Sequence, residues 1–112
     1  MATQSTRVII EGTKILAQRA TVPVAAFMTG PMTFSLQLMP YTDVIKRIVK
    51  NPDFVHELVG RSVVVIKAYG QALREAGATI FAICEHDAQM MSPKHVKAFS
   101  LDYLPEILAI YD

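Results

Sequence analysis

Two short apolar runs, residues 22–28 and 79–84, are separated by a long stretch that reads as helix, and this separation limits how the runs can pair. Antiparallel neighbours need only a tight turn between them, whereas strands joined through helices return in the same direction, as in a βα unit. The first strand is expected over residues 21–28, a continuous apolar run with β-branched side chains closed by Gly30-Pro31. That pattern suits a strand buried on both faces, with Pro23 near its start. The second strand, residues 79–84, is followed by the charged run Glu85-His86-Asp87.

The intervening helices carry their own marks. Residues 8–20 repeat apolar positions at helical spacing (Val8, Ile9, Gly12, Ile15, Leu16) and form an amphipathic helix, with residues 1–6 a frayed end. Short helices are expected over residues 32–39, ended by Pro40, and 43–50, with Val44, Ile45, Ile48 and Val49 on one face. Asn51-Pro52-Asp53 supplies an N-cap, a proline at the first helical position and an acid in the first turn, and Gly77 stands where a C-terminal glycine belongs. Between them Val55, Leu58, Val59, Ser62, Ile66, Tyr69, Leu73 and Ala76 form the stripe of one long helix, expected to pack across both strands. Ser92-Pro93 starts a further helix near Lys94, and a last one covers residues 101–111. The crossover between parallel strands is expected to be right-handed.

Composition narrows the function classes. The chain has 112 residues, 52% of them hydrophobic, enough for a sizeable core and one domain at most. Eleven basic and ten acidic residues leave a formal charge of +1 and lie dispersed, so no footprint for nucleic acid or an anionic membrane is present. The apolar runs are far short of a bilayer span, which indicates a soluble protein. A lone cysteine, Cys84, makes no internal disulfide and suits a reducing cytoplasm.

A parallel pair of strands exposes two edges and two apolar faces, and sheets of this kind ordinarily have more strands. A closed eight-stranded barrel takes roughly 250 residues. The expected architecture is therefore α/β, two parallel strands with flanking helices from a barrel or a doubly wound sheet, a fragment that associates with itself or with the remainder of its sheet.

Several motifs carry a resemblance. Gly30-Pro31-Met32-Thr33-Phe34 after the first strand, Asn51-Pro52-Asp53-Phe54-Val55-His56-Glu57-Leu58 at the long helix start, Tyr69-Gly70-Gln71-Ala72-Leu73-Arg74-Glu75-Ala76-Gly77-Ala78 at its end, and Ser92-Pro93 followed by Phe99-Ser100-Leu101-Asp102-Tyr103-Leu104 stand in order. Together they resemble the middle of the barrel shared by uroporphyrinogen decarboxylase and the cobalamin-dependent methyltransferases. The resemblance implies a partial (β/α)₈ barrel, with residues 1–112 a fragment of a single barrel domain that acts on a small-molecule or corrinoid substrate.

In parallel barrels the working residues sit at the carboxyl ends of strands, here residues 29–33 and 84–87. Gly30 and Pro31 are either a tight turn or part of a substrate-binding rim. Thr33 and the neighbouring amides are suited to binding a carboxylate or phosphate at a helix start. Glu85 is the expected catalytic residue: the resemblance implies an acid at this strand end, able to orient substrate or accept a proton. The alternative is a solvated acid or one paired with a lysine. Gln37 and His86 are expected to contact substrate, at positions where the decarboxylases carry a tyrosine and a serine, and these departures weaken a tetrapyrrole decarboxylation reading. Glu85 and the Gly30-Pro31 turn are expected to border one concavity. His56 and His95 fall on helices and are expected to be packed or solvated.

Cys84 and His86, two apart on a strand, would face one side, yet a zinc site needs three or four ligands, so no metal is expected within this chain. The resemblance implies zinc and a corrinoid only for a full-length methyltransferase, with zinc held by a histidine-x-cysteine and a later cysteine outside this sequence. The functional expectation is methyl transfer between a corrinoid and a thiol. Uroporphyrinogen decarboxylation is the alternative, and a truncated, inactive product that only associates is the third reading.

Overall fold

The computed structural model describes residues 4–111. Helix α1 (Gln4–Arg19) leads into strand β1 (Ala25–Thr29), helices α2 (Pro31–Leu38), α3 (Tyr41–Lys50) and α4 (Pro52–Glu75), and strand β2 (Ile80–Cys84). A 3₁₀ segment His86–Met90, helix α5 (Pro93–Phe99), a 3₁₀ turn Leu101–Tyr103, helix α6 (Leu104–Leu108) and a last turn Ala109–Tyr111 follow. β1 and β2 pair in parallel, Ala25 opposite Ile80 through Thr29 opposite Cys84. The expected parallel barrel unit is thus present, as two strands with their helices.

β1 starts later than expected because Pro23 has no N–H to give a ladder. Pairing nevertheless extends back to Val24, whose carbonyl accepts from Thr79 and Ile80. The expectation that this strand is buried on both faces is corrected. Ala26 and Met28 are buried, while Phe27 on the other face is 72% exposed. By the register, Thr29, Cys84, Phe27 and Ala82 share that open side.

The core lies between the sheet and α2, α3 and α4. Met32, Val44, Ile48, Val55, Val59, Val63, Ile66 and Leu73 are buried there. α4 presents its stripe as expected, with Val63 and Gly70 joining it; in α3, Val44 and Ile48 are buried while Val49 is exposed. At the end of α4, Gly77 has φ 119°, Ala78 donates to the Leu73 carbonyl and Gly77 to that of Arg74. This is a Schellman closure, which only glycine enters without strain.

α1 departs from expectation. It already includes residues 4–6, placed in the frayed end, whereas residues 1–3 lie outside the described residues. Its apolar stripe, Val8, Ile9, Ile15 and Leu16, is exposed, and half-buried Ile10 meets the core instead. The radius of gyration, 15.2 Å, exceeds the roughly 13 Å of a compact chain of this length, as an open two-stranded unit should. Among the described residues no helix is long and apolar enough to cross a membrane.

Candidate functional site

The two strands end side by side, and the loops beyond them are laced together. Gly30 N–H, just past β1, donates to the Cys84 carbonyl at 2.8 Å. α2 then begins with Pro31 at its first position and no side chain of its own capping it, so the next amides lack local partners. Glu85 supplies the acceptors. Its Oε2 takes the Met32 N–H at 3.1 Å and its Oε1 the Thr33 N–H at 2.9 Å. The helix start is suited to a carboxylate, as read from the sequence, and the carboxylate is the protein's own.

The approach is close enough to require glycine at position 30. A Cβ added there would fall 2.3 Å from Glu85 Cδ. Thr33, fully buried, returns a bond across the same gap, its Oγ1 accepting from Asp87 N–H at 3.3 Å. Glu85 is thus partly buried, and among the described residues its oxygens meet backbone amides and no lysine. It is held as an acceptor, and a carboxylate with one amide on each oxygen still has lone pairs to offer a ligand.

Beyond this clasp, His86 is exposed, with Nδ1 3.9 Å from Cys84 Sγ and Nε2 3.4 Å from Asp87 Oδ1. It lies in a 3₁₀ segment and not on the strand, so its nearness to Cys84 comes from the turn and not from strand alternation. Among the described residues no group of three or more histidine, cysteine, aspartate or glutamate side chains could hold a metal. A zinc ion of the kind the methyltransferase resemblance implies does not fit the described residues.

A cavity of about 470 Å³ opens along β1, lined by Thr6, Phe27, Met28, Thr29, Phe34, Gln37, Val65 and Tyr69. Its size is that of a small-molecule site. Of the residues expected at the site, Gln37 alone lines it, whereas Glu85, Gly30, Pro31 and Thr33 meet in the clasp beside it. Glu85 meets the Gly30-Pro31 turn directly, its oxygens on the Met32 and Thr33 amides, so the groups expected to border one concavity stand together at the strand ends. Thr29 lies at the strand end where site residues were expected, whereas Phe27, Phe34 and Tyr69 were not expected at the site; alternation along β1 was the available signal for Phe27. Burial raises the Tyr69 phenol above its usual range, so it stays a neutral hydroxyl at this wall.

The helical histidines make ring contacts at the surface, His56 exposed and His95 partly buried. His56 stacks on Phe99 with ring centroids 4.5 Å apart and shares a 2.8 Å hydrogen bond with the Tyr103 hydroxyl, while the rings of His95 and Phe99 lie 6.3 Å apart.

A solved methyltransferase from Methanosarcina mazei superposes on 95% of this chain with a TM-score of 0.86 and 24% identity, the chain covering 33% of that structure. It shares the barrel-type fold. Methylcobamide:CoM methyltransferase MtaA of Methanosarcina barkeri strain Fusaro is 30% identical over 95 residues, 81% of this chain, and a second MtaA of M. barkeri matches equally. The chain spans 28% of the length of these relatives. The uroporphyrinogen decarboxylase (URO-D) family model matches residues 1–111, and with a glycine-proline turn, an acid at the next strand end and a parallel pair between them, the chain belongs to the uroporphyrinogen decarboxylase (URO-D) family.

Proposed function

We propose that this sequence forms two βα units of a single barrel domain that moves a methyl group between a corrinoid and a thiol. The observation that carries the reading is the 30% identity to proteins named methylcobamide:CoM methyltransferase over 81% of the chain. Gln37 and His86, where the decarboxylases the chain resembles carry a tyrosine and a serine, favour it over tetrapyrrole decarboxylation. A single unpaired cysteine is in keeping with a cytoplasmic setting.

In this reading the clasp sets the rim. Glu85, fixed by the Met32 and Thr33 amides, keeps the two strand ends in register and presents its remaining lone pairs to substrate, and Gly30, Pro31 and Thr33 build the rim that carries it. Gln37 offers an amide within the aromatic wall of the cavity, and exposed His86 borders the rim. In a full-length methyltransferase, as the resemblance implies, a corrinoid would be the methyl carrier and zinc would activate the thiol.

The test is methyl transfer from methylcobalamin to a small thiol by the polypeptide carrying this sequence, followed by loss of the cobalt–carbon absorbance. Release of carbon dioxide from a porphyrinogen polycarboxylate, with no demethylation, would assign it instead to porphyrin biosynthesis.

The exposed sheet face favours a second reading. Phe27, at 72% exposure in mid-strand, and the open edges of β1 and β2 suit a chain that associates, with another copy or with further barrel strands, and has no activity alone.

A further inference from the structure

Cys84, His86 and Asp87 form a connected line of side chains, Sγ to Nδ1 at 3.9 Å and Nε2 to Oδ1 at 3.4 Å. With its proton on Nε2, on the side of the Asp87 carboxylate, His86 would turn its Nδ1 lone pair to the thiol. The line is anchored, because the Asp87 N–H donates to the buried Thr33. Cys84 stands opposite Thr29, on the side of the sheet where Phe27 is exposed, so small molecules reach the sulfur from the open face.

We propose that Cys84 is a reactive thiol that exchanges with small-molecule disulfides, with His86 as its base and Asp87 orienting His86. The Sγ proton passes to His86 Nδ1, and the thiolate attacks one sulfur of the disulfide. A bond forms between Sγ and that sulfur as the original S–S bond breaks, and the departing thiolate takes the proton from Nδ1. Cys84 is oxidised to a mixed disulfide while the other half of the disulfide is reduced to a thiol, so no further oxidant enters. The carboxylates of Glu85 and Asp87, both just after Cys84 in sequence, favour a neutral or cationic disulfide over an anionic one. The cap so formed sits on the rim and is removed by any excess thiol.

Because the chain has one cysteine, every thiol reaction reports on this site. The rate of reaction with the neutral reagent 4,4′-dithiodipyridine is measured at pH 7 on the native chain and on the same chain unfolded in guanidinium chloride, with circular dichroism reporting the fold of each variant. The native rate should exceed the unfolded one by about tenfold or more. His86→Gln, at an exposed side chain, should bring the native rate down to the unfolded one, and Asp87→Asn, which keeps the backbone bond to Thr33, should lower it severalfold. A native rate at or below the unfolded rate overturns the proposal, and so does a folded His86→Gln chain that reacts as fast as the wild type.

Discussion

The Glu85 carboxylate and the Thr33 amide are 52 positions apart in the chain and 2.9 Å apart in space. That bond, with its companion to Met32, joins two βα units at their carboxyl ends. Hydrogen bonds to a charged group typically contribute about 1.5–3 kcal/mol each. Glu85→Gln leaves one oxygen for two donors and removes the charge at the start of α2, so we predict a loss of about 1–2 kcal/mol. Folding is therefore not indifferent to this substitution, as a purely catalytic Glu85 would imply. Chemical denaturation measures the loss, and an unchanged midpoint would contradict it.

Gly30→Ala should act through the same bonds. The new methyl group displaces the Glu85 side chain, and the expected cost is about 2 kcal/mol. Combining it with Glu85→Ala should add much less than the sum of the two single losses. Full additivity would place the effect of Gly30 elsewhere.

Alkaline pH should weaken the fold. Burial raises the phenols of Tyr69 and Tyr103, Tyr103 also through Glu106 and Asp102. Burial raises Tyr111 too, with Arg74 partly opposing it. A phenol whose folded pKa lies above its unfolded value contributes stability that is complete below about pH 10 and disappears as pH rises through the folded value. Denaturation midpoints followed from pH 8 to 11 should be level and then fall. Tyr103→Phe should flatten that fall, and an equally steep curve in the variant would exclude Tyr103 as a source.

How much of this was legible in the sequence depends on whether a feature is local. Asn51, Pro52 and Gly77 mark the ends of α4 because caps and left-handed glycines act within a few residues. β1 is different. Ala26 and Met28 are as apolar as Ala25 and Phe27, so composition alone does not say which face is covered. α1 has the same ambiguity, with Ile10 and Ala17 on the inner side and Val8, Ile9, Ile15 and Leu16 outside. The expected helix over residues 101–111 is broken into 3₁₀ and α pieces around Pro105, which cannot donate to a continuous helical ladder. Glu85 was legible as a site acid and Thr33 as a helix start, but their meeting is set by the pairing register of two distant strands.

Zinc should bind weakly. After equilibration with the metal and dialysis, elemental analysis should find well below one zinc per chain, because among the described residues Cys84 and His86 have no third ligand in a chelating arrangement. One tightly held zinc, lost on changing Cys84 or His86 to alanine, would overturn this.

The open sheet face should make the chain associate in proportion to its concentration. Sedimentation over a wide concentration range should show species larger than the 12.4 kDa chain, and Phe27→Ser should shift the population toward monomer. A monomer at every concentration would remove the associating reading.

The Schellman closure at Gly77 bears on the order in which the molecule assembles. α4 and its glycine stop are made of neighbours in sequence and can form as soon as the chain collapses, while β1 meets β2 only after a long loop closes. The Met32 and Thr33 amides find their acceptor only once that meeting has occurred. Their protection against solvent deuterium therefore reports the last event of folding, whereas the amide of Ala78, bonded to Leu73, reports one of the first.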